Sequence, residues 1–270
     1  MIRQLTSLQN PLVKNVLLLQ EKARERSAQG LFVVEGSREI RLAVLSGFRL
    51  ASLIYCPEIL KRGHDTEIIF SQQDMETIEV NRPVYNRMAY RKDAEGILAL
   101  AAPKLHDFQG IRLSENPLIL VLESVEKPGN LGAVLRTADA ANIDAVIICD
   151  PQTDPYNPNS VRSSLGCIFT IPVIVGSGGD ARQWLKEKHI PSYAAALSAE
   201  TLYYNCDFQG PAAFIMGTES TGLSDPWLKE ADFLIKIPMG GKVDSMNVSV
   251  SAAILVFEAV RQRSFNRKGR

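Results

Sequence analysis

The sequence predicts an α/β protein with a small N-terminal α/β domain and a larger C-terminal domain built on a parallel sheet. From residue 118 onward, short and almost wholly apolar runs alternate with amphipathic helical segments. Strands of that kind are buried on both faces, which is typical of a parallel sheet covered by helices. The 270 residues suffice for two domains, and a composition of 46% hydrophobic and 22% charged residues is that of a globular protein.

The first domain, residues 1–104, carries mixed helix and strand signals. Apolar positions recur at helical spacing over 11–26, and Gly30 ends that pattern. A second helix is predicted over 37–46 and closed by Gly47. The predicted strands are LFVVEG at 31–36, SLIYC at 52–56, EIIF at 67–70 and GILALAA at 96–102. Together these elements predict a small α/β unit.

Residues 105–116 are predicted to be a linker, because the stretch is polar, contains glycine and lacks clear periodicity. The second domain then covers 117–262, and 263–270 form a basic tail. In order, its predicted elements are the strand LILVLES, the helix GNLGAVLRTADAAN, the strand AVIICD, the helix PNSVRSSLGCIF, the strand IPVIV, the helix DARQWLKEKH, the strands SYAAAL, AAFIMG and FLIKIP, and the helix NVSVSAAILVFEAVRQR. A ligand of such a sheet is expected at the carboxyl ends of its strands.

Composition argues against several classes of protein. No run approaches eighteen consecutive apolar residues, and the apolar stretch near the N-terminus is too short for a signal peptide. We therefore expect a cytoplasmic protein that does not enter a membrane. The cysteines and histidines are scattered without metal-ligand spacing, so we expect no metal site. They are Cys56, Cys149, Cys167, Cys206, His64, His106 and His189.

Positive charge is concentrated at the two ends of a chain whose net charge is zero. The first fifty residues carry eight Lys or Arg against four glutamates, and the C-terminal stretch RQRSFNRKGR has no acidic residue. Basic ends on a neutral body suit contact with phosphates. A solvated helix face and a free tail would carry the same charges, so charge alone leaves both interpretations open.

Three strand-ending segments of the second domain concentrate glycine and uncharged polar residues. In the first segment, residues 123–140, a Pro-Gly pair predicts a turn and Asn130 occupies the N-cap position of the next helix. Asn142 can close that helix in the left-handed conformation. Arg136 would project from the second helical turn, close to the loop. It is either a phosphate or ribose clamp or an ordinary helix arginine paired with a neighbour.

In the second segment, residues 214–228, a buried strand runs into a loop where Gly217 and Gly222 bracket Glu219. Two glycines allow the backbone to approach a ligand closely. A helix is predicted to start at Ser224. A tight strand-to-helix turn with a solvated glutamate would give the same pattern, so the residues alone favour neither interpretation.

In the third segment, residues 237–257, a glycine pair precedes Ser245 and Asn247 at the entry to a long apolar helix. Either residue could simply cap that helix. A fourth glycine-rich stretch, VGSGGDARQWL at 175–185, follows a strand and opens a helix as a dinucleotide site would. It lacks the G-x-G-x-x-G spacing, which makes a dinucleotide-dependent enzyme the weaker hypothesis.

Taken in order, the three segments resemble the motifs of the SpoU (TrmH) family of RNA 2′-O-ribose methyltransferases, within the SPOUT superfamily. The matching stretches are NLGAVLRTADA at 130–140, MGTESTGLSD at 216–225 and IPMGGKVDSMNVSVSAAI at 237–254. Met246 stands where the third motif usually has leucine, a change that conserves volume and apolarity. NPLVKNVLLLQ and LFVVEG in the N-terminal domain resemble, more loosely, the RNA-substrate-binding domain attached to this family.

The resemblance implies a reaction, a fold and a set of site residues. The enzyme would transfer a methyl group from S-adenosylmethionine (AdoMet) to a ribose 2′-hydroxyl of RNA. The C-terminal sheet would contain a deep trefoil knot, and two chains would form a homodimer. AdoMet would be held by backbone groups around Leu197, Gly217, Ile237 and Met246. The reaction site would be lined by Asn130, Arg136, Glu219, Ser245 and Asn247, with Arg136 of one chain reaching the donor site of the other.

The resemblance also bears on the RNA substrate. An appended N-terminal domain favours ribosomal RNA over transfer RNA, which is the alternative within the same chemistry. A non-catalytic RNA-binding protein is the alternative of a different class. The expected phosphate contacts are Arg24, Arg26, Arg38 and the arginines of the tail. Because a guanidinium stays protonated, we expect Arg136 to act as a clamp, with proton abstraction as the other role proposed in the family.

Overall fold

A computed structural model describes residues 2–91, 94–104, 106–242 and 245–267 of the chain. The chain divides into two units, one formed by Met1–Lys104 with Asp154–Thr170 and the other by Leu105–Thr153 with Ile171–Arg270. Both units combine helices with a sheet, as the sequence predicts. Within the described ranges, no helix is long and apolar enough to cross a bilayer.

The first unit is built on a mixed sheet. Its described strands are β1 (Arg3–Leu5), β2 (Phe32–Glu35), β3 (Leu50–Tyr55), β4 (Glu76–Val80) and β5 (Ile97–Ala101). They lie in the order β1-β4-β3-β5-β2, with β5 antiparallel to both of its neighbours and the other pairs parallel. Its helices, numbered along the whole chain, are α1 (Pro11–Glu21), α2 (Ala23–Gln29), α3 (Ser37–Leu45), α4 (His64–Phe70), α5 (Arg82–Met88), α7 (Pro158–Ser163) and α8 (Cys167–Thr170).

Two predictions for the first unit are wrong. The single helix predicted over 11–26 is two helices, because Lys22 between them is extended at φ −115° and ψ 112°. EIIF at 67–70 is the end of α4 and not a strand. Thr66 and Ile69 of that helix are buried one turn apart, and a four-residue apolar run does not distinguish a buried helix from a strand. The predicted strands at 31–36, 52–56 and 96–102 are confirmed as β2, β3 and β5.

The segment 154–170, predicted as one helix of the second domain, packs with the first unit. It forms α7 and α8, separated by positive φ at Leu165 and Gly166. Its aromatic rings complete the core of the first unit, since Tyr156 stacks on Phe32 with ring centroids 4.3 Å apart. The helical signal of this segment is therefore correct, but periodicity cannot tell which of two sheets a helix covers.

The second unit is built on a sheet in which every described strand pair is parallel. Its strands are β6 (Leu118–Glu123), β7 (Ala145–Cys149), β8 (Val173–Gly176), β9 (Ser192–Ala195), β10 (Thr201–Leu202), β11 (Ala212–Met216) and β12 (Phe233–Lys236). They lie in the order β10-β12-β9-β11-β6-β7-β8. Its helices are α6 (Pro128–Ala141), α9 (Gly178–Glu187), α10 (Asp225–Glu230) and α11 (Val248–Arg267), with a 3-10 turn at Tyr203–Asn205.

Helices cover both faces of this sheet, as its apolar strands predict. Trp184 of α9 and Trp227 of α10 pack into one core with Val121 and Ile147 of the strands. On the other face α6 and α11 pack against each other and against β6, β7 and β11. Burial raises the pKa of the Cys149 thiol to about 12, in keeping with a structural cysteine.

The predicted linker 105–116 packs, from its second residue, on the second unit. His106 forms a bridge to Ile174 in β8, and the Trp184 indole N–H donates to the Phe108 carbonyl at 2.7 Å. Leu105 lies outside the described residues. The polar composition of this stretch predicted an exposed connection, and it did not reveal that Phe108, Ile111 and Leu113 pack against the core of the second unit.

Candidate active site

The three polar segments meet at the carboxyl ends of β6, β11 and β12. The first segment leads from β6 into α6, the second leads from β11 into α10, and the third connects β12 to α11. Neighbouring parallel strands present their carboxyl ends at the same sheet edge, which is why segments more than a hundred residues apart in sequence can share one site. Their meeting point is the carboxylate of Glu219.

Glu219 receives hydrogen bonds from the first and third segments. Asn130 Nδ2 and Asn247 Nδ2 donate to Glu219 Oε1 at 2.9 and 2.8 Å. Lys127 Nζ lies 2.6 Å from Glu219 Oε2. Asn247 Nδ2 also lies 3.1 Å from Asn130 Oδ1. The glutamate therefore joins the two amides, and the interpretation of Glu219 as a merely solvated side chain is wrong.

Asn247 has a second role at the start of α11. Its Oδ1 accepts from the backbone N–H and the hydroxyl of Ser249 at 3.0 and 2.6 Å. A helix-capping role and a role in the Glu219 network are thus combined in one side chain. Asn130 differs from its prediction: the N-cap of α6 is Lys127, and Asn130 lies inside the first turn with its amide directed to Glu219.

The network holds Glu219 in the ionised form. Lys127, by hydrogen bond and charge, and the Asn130 amide and the Val248 backbone N–H lower the pKa of Glu219 below its ordinary value. The same contact raises the pKa of Lys127. Both shifts favour the charged pair, which is partly open to solvent.

A cavity of about 460 Å³ lies beside this network. The four residues predicted to hold AdoMet all line it, and so do two of the predicted reaction-site residues. These are Leu197, Gly217, Ile237, Met246, Glu219 and Ser245. Much of the remaining lining is small or polar, including Ala195, Ala196, Ser198, Ser220, Thr221 and Ser251.

Gly217 shows why the cavity needs glycine at the end of β11. A Cβ atom placed there would lie 2.2 Å from the carbonyl carbon of Gly222 and 2.5 Å from Leu223 N. The close approach comes from a tight turn in which Thr218 and Gly222 exchange backbone hydrogen bonds at 3.0 and 3.1 Å. Gly222 itself has φ +70°. Both glycines are therefore required by the turn that shapes one wall of the cavity.

Arg136 lies apart from the cavity of its own chain. It is the ninth residue of α6, one turn farther from the loop than predicted, because the helix begins at Pro128. The side chain is exposed, does not line the cavity, and has no hydrogen-bond or ion-pair partner within the described residues. Within the described residues, Arg136 shows no pairing with a helix neighbour, so its role stays a prediction. Asn142 closes α6 at φ 50°, as predicted.

The fourth glycine-rich stretch does not offer a phosphate site. The Ser177 hydroxyl caps α9 by accepting from Asp180 N at 3.0 Å. The Gly178 N–H, which a phosphate would need, donates to the Asp150 carboxylate at 2.9 Å. A carboxylate already occupies this helix start, which argues against the dinucleotide hypothesis.

The predicted phosphate contacts divide into exposed and internal arginines. Arg24 and Arg38 are exposed. Arg26 is a correction: it is 4% exposed, pairs with Asp154 and donates to the Leu19 carbonyl at 2.7 Å, so it is a structural residue. In the predicted tail 263–270, Arg263 donates to backbone carbonyls of its own unit, among them Gly210 O at 2.6 Å. The side chains of residues 265–267, and the whole of residues 268–270, lie outside the described part of the structure.

Lys127 is the site residue that sequence reasoning missed. It belongs to the first segment, yet a lysine before a Pro-Gly turn carries no spacing signal that links it to a glutamate 92 residues away. The signal available was weak, because it was only the presence of acidic and basic residues in two segments already expected to meet.

A family model and known relatives agree with this geometry. The model for the SpoU rRNA Methylase family matches residues 117–257, which cover most of the second unit and also the segment 154–170 of the first. The chain belongs to the SpoU rRNA Methylase family. A second model, for an MRM3-like substrate binding domain, matches residues 10–99 of the first unit.

Two relatives of this SpoU family member are named as methyltransferases of 23S ribosomal RNA. A 23S rRNA (uridine(2479)-2′-O)-methyltransferase of Streptomyces viridochromogenes is 29% identical over 246 residues, which are 88% of this chain and 85% of that one. The 23S rRNA (guanosine-2′-O-)-methyltransferase RlmB of Pseudomonas putida is 40% identical over 157 residues, 58% of this chain. The match to RlmB spans 63% of that protein, a little under two thirds of its length.

Solved structures share the fold over almost the whole chain. The crystal structure of an RNA 2′-O ribose methyltransferase has 36% sequence identity and a TM-score of 0.82, covering 97% of this chain and 99% of that one. An AdoMet-bound rRNA methyltransferase from Sinorhizobium meliloti has 28% identity and a TM-score of 0.88, covering 96% and 98%. The α/β architecture with a parallel sheet is therefore that of SpoU methyltransferases.

Proposed function

We propose that the protein transfers a methyl group from AdoMet to a ribose 2′-hydroxyl of ribosomal RNA. The observation that carries the proposal is the convergence of three polar segments on one cavity beside the Glu219 network. Membership of the SpoU family and the rRNA substrates named for the relatives support the same reaction. The rRNA-modifying relatives also support a cytoplasmic location.

The lining of the cavity suits AdoMet. A volume of about 460 Å³ falls in the range of roughly 300–1,000 Å³ that small-molecule sites occupy. The tight turn that requires Gly217 shapes one wall of the cavity, and Leu197, Ile237 and Met246 supply apolar surface around it. Such walls can hold an adenosine by backbone hydrogen bonds and apolar contact. AdoMet, when bound, supplies a methyl group activated by its sulfonium centre.

The chain's own residues would position the acceptor. Ser245 lines the cavity and would hydrogen-bond the ribose. Arg136 would bind a phosphate next to the target nucleotide and so hold the 2′-oxygen in line with the methyl group. Alignment of this kind can supply about 7–11 kcal/mol of the barrier reduction. We favour the clamp over proton abstraction, because a guanidinium remains protonated in proteins. The proton of the 2′-hydroxyl would then pass to solvent water.

A homodimer would complete the site. Arg136 does not line the cavity of its own chain and lacks a partner within the described residues, so an arginine from a second chain can fill this role. Helix α11, which packs along α6, leaves Val250 and Phe257 49% and 45% exposed at a spacing of seven residues. Such an apolar stripe is suited to an isologous contact between two copies. The family resemblance further supports a deep trefoil knot in this unit.

The first unit would bind the RNA. Its match to a substrate-binding domain model supports this role. Arg24 and Arg38 remain the proposed phosphate contacts, and Arg26 is withdrawn because it is buried and paired. RNA recognition of this kind usually targets unpaired nucleotides, where a 2′-hydroxyl is accessible.

Methyl transfer to purified RNA tests the proposal. The full chain is incubated with methyl-labelled AdoMet and, separately, with ribosomal RNA and transfer RNA, and the nucleosides are identified by mass spectrometry. We expect a 2′-O-methylnucleoside in ribosomal RNA. Labelling of transfer RNA alone would favour the alternative substrate. A base-methylated product, or donor binding without transfer to either RNA, would contradict the proposed reaction.

A further inference from the structure

Lys127 occupies an unusual position for an exposed lysine. It is the last residue before α6, with extended backbone at φ −93° and ψ 119°. Its side chain is 65% exposed, yet Nζ lies 2.6 Å from Glu219 Oε2. An exposed ion pair of this kind contributes little to stability, because solvent screens both charges. Its contribution to folding is therefore small, and a role in the site has to be considered.

Glu219 distributes its contacts between its two oxygens. Oε1 accepts from the Asn130 and Asn247 amides, and Oε2 accepts from Lys127. Within the described ranges, Lys127 is the one cation that forms an ion pair with Glu219. The lysine thus approaches the carboxylate from the side that the two amides leave open.

The orientation of the Glu219 carboxylate determines how these amides are oriented. A carboxylate only accepts hydrogen bonds, so both Nδ2 groups can donate to it at once. Without the contact from Lys127 to Oε2, the carboxylate would be free to rotate, and Oε1 would no longer face both amides. Asn247 would then also lose its orientation as the cap of α11, because its Oδ1 accepts from Ser249.

We propose that Lys127 is a positioning residue for methyl transfer, which acts through Glu219 to keep Asn130 and Asn247 in their reactive orientation. The inference rests on the proposed methyltransferase function. Lys127 does not line the donor cavity, which is lined by Glu219 and Met246 among others, so its effect on the reaction is indirect. It does line the small pocket between the first and second segments, together with Asn130 and Glu219.

The other charged groups near Glu219 in the described residues do not form an ion pair with it. Glu123 at the end of β6 also lines the small pocket, but its carboxylate accepts hydrogen bonds from the backbone N–H and hydroxyl of Ser224 at 2.8 and 2.6 Å. Glu126 lies beside Lys127 and favours its charged form. Lys236 of β12 lines the larger cavity without forming an ion pair with Glu219.

The test compares Lys127→Met, Lys127→Arg and Glu219→Gln in the full chain with AdoMet and ribosomal RNA. We expect Lys127→Met to lower kcat by about 10- to 100-fold, as a small misplacement of reacting groups does, with the Kd for AdoMet almost unchanged. Lys127→Arg should bring kcat back to within about threefold of wild type. The acid limb of the pH–kcat profile should move to higher pH in Lys127→Met, because Glu219 loses the cation that favours its ionised form.

A double variant and a control separate this role from others. In the Glu219→Gln background, Lys127→Met should cause no further loss of kcat. Lys229→Met is the matched control, since Lys229 is also exposed and pairs with an acid at 2.8 Å, outside the site. An equal loss in both backgrounds would contradict action through Glu219 and indicate direct contact with RNA. Wild-type kcat and pH profile in Lys127→Met would overturn the proposal, whereas an inactive wild-type chain would refute the methyltransferase function instead.

Discussion

At the scale of single residues, the carboxylate of Glu219 connects the segments of the site. Its donors, Lys127, Asn130 and Asn247, come from both flanking segments. The cavity proposed for AdoMet borders the same carboxylate. Arg136, in contrast, has no partner within the described part of the chain. This difference suggests that the network is complete before substrate binds, whereas the arginine is held available for it.

Arg136→Ala should abolish turnover and leave donor binding intact. Loss of the clamp removes the alignment of the 2′-oxygen, which should cost about 100-fold or more in kcat. The Kd for AdoMet should stay within about twofold, because the proposed partner of Arg136 is an RNA phosphate and not the donor. Calorimetric titration and single-turnover methylation measure the two quantities. The matched control is Arg112→Ala, at an exposed arginine outside the three segments. Full activity of Arg136→Ala would exclude its assigned role.

The sequence predicted the site residues better than their roles in the local structure. The three segments and their polar residues could be identified because glycine, asparagine and glutamate cluster after buried strands. Asn130 was expected to cap a helix, and it instead donates a hydrogen bond to Glu219. Lys127 could not be found, since no local pattern records a contact made across two strands. Arg26 was expected at the surface, because a basic helix face looks the same whether or not an acid from a distant segment covers it.

At the scale of secondary-structure elements, the first residue of helix α3 is capped by the side chain of Glu95, which is distant in sequence. The Ser37 backbone N–H and hydroxyl donate to Glu95 Oε2 at 2.9 and 2.6 Å. Partial burial raises the pKa of Glu95, but the hydrogen bonds from Ser37 and the charge of Arg91 lower it overall. The ionised carboxylate therefore stabilises the fold at neutral pH.

Glu95→Gln should lower the free energy of unfolding by about 1 kcal/mol at pH 7, the usual effect of weakening a helix cap. A group whose folded-state pKa is lowered stabilises the fold above its unfolded pKa, and this contribution is lost as pH falls through the folded pKa. The difference from wild type should thus be constant above about pH 5 and shrink below the ordinary glutamate pKa of about 4.3. Urea unfolding at several pH values measures it, with the exposed Glu21→Gln as control. A difference that does not vary with pH would be inconsistent with a charged cap.

The pair between Arg26 of α2 and Asp154 joins the segment 154–170 to the first unit. The side chain of Arg26 is 5% exposed and that of Asp154 is 22% exposed. Asp154→Asn should lower the free energy of unfolding by about 3 kcal/mol, because it leaves a buried guanidinium without its counter-charge. Asparagine keeps an acceptor for the Tyr156 N–H, which Asp154 Oδ1 binds at 2.9 Å.

Denaturant unfolding tests this expectation, with Arg24→Met as the matched surface control. Arg24 is exposed on the same helix and its replacement should change the free energy of unfolding by less than about 0.5 kcal/mol. An effect of Asp154→Asn as small as that of the control would mean that the pair contributes little to the unit. Donor binding should be retained in both variants.

Element types were predictable where the apolar pattern was long and regular. The strands of the parallel sheet follow from their continuous burial, and α6 follows from its length and its Asn142 cap. The four residues of EIIF were too few to separate helix from strand, and β4 was missed because only one or two of its side chains alternate into the core. The break at Lys22 was also unpredictable, since the residue has no special preference for extended backbone.

At the scale of the whole molecule, the proposed site requires two chains. Mixed dimers of Arg136→Ala and Gly217→Ala chains test this directly. If Arg136 acts on the cavity of the other chain, each mixed dimer contains one complete site. Coexpression should then restore roughly a quarter of wild-type activity, since half of the dimers are mixed and one of their two sites is intact. Activity no higher than that of the separate variants would show that the arginine acts within its own chain.

AdoMet titration into the full chain tests most directly whether the three segments form a donor site. We predict one binding site per chain for wild type, and loss of binding in Gly217→Ala, where the added Cβ would lie 2.2 Å from Gly222. Leu197→Asp, at a side chain 60% exposed beside the cavity, should weaken binding without disturbing the core. Gly210→Ala, where a Cβ meets no atom within 4 Å, should bind as wild type does. No binding by the wild-type chain, or equal binding by all four folded proteins, would contradict a donor site in this cavity.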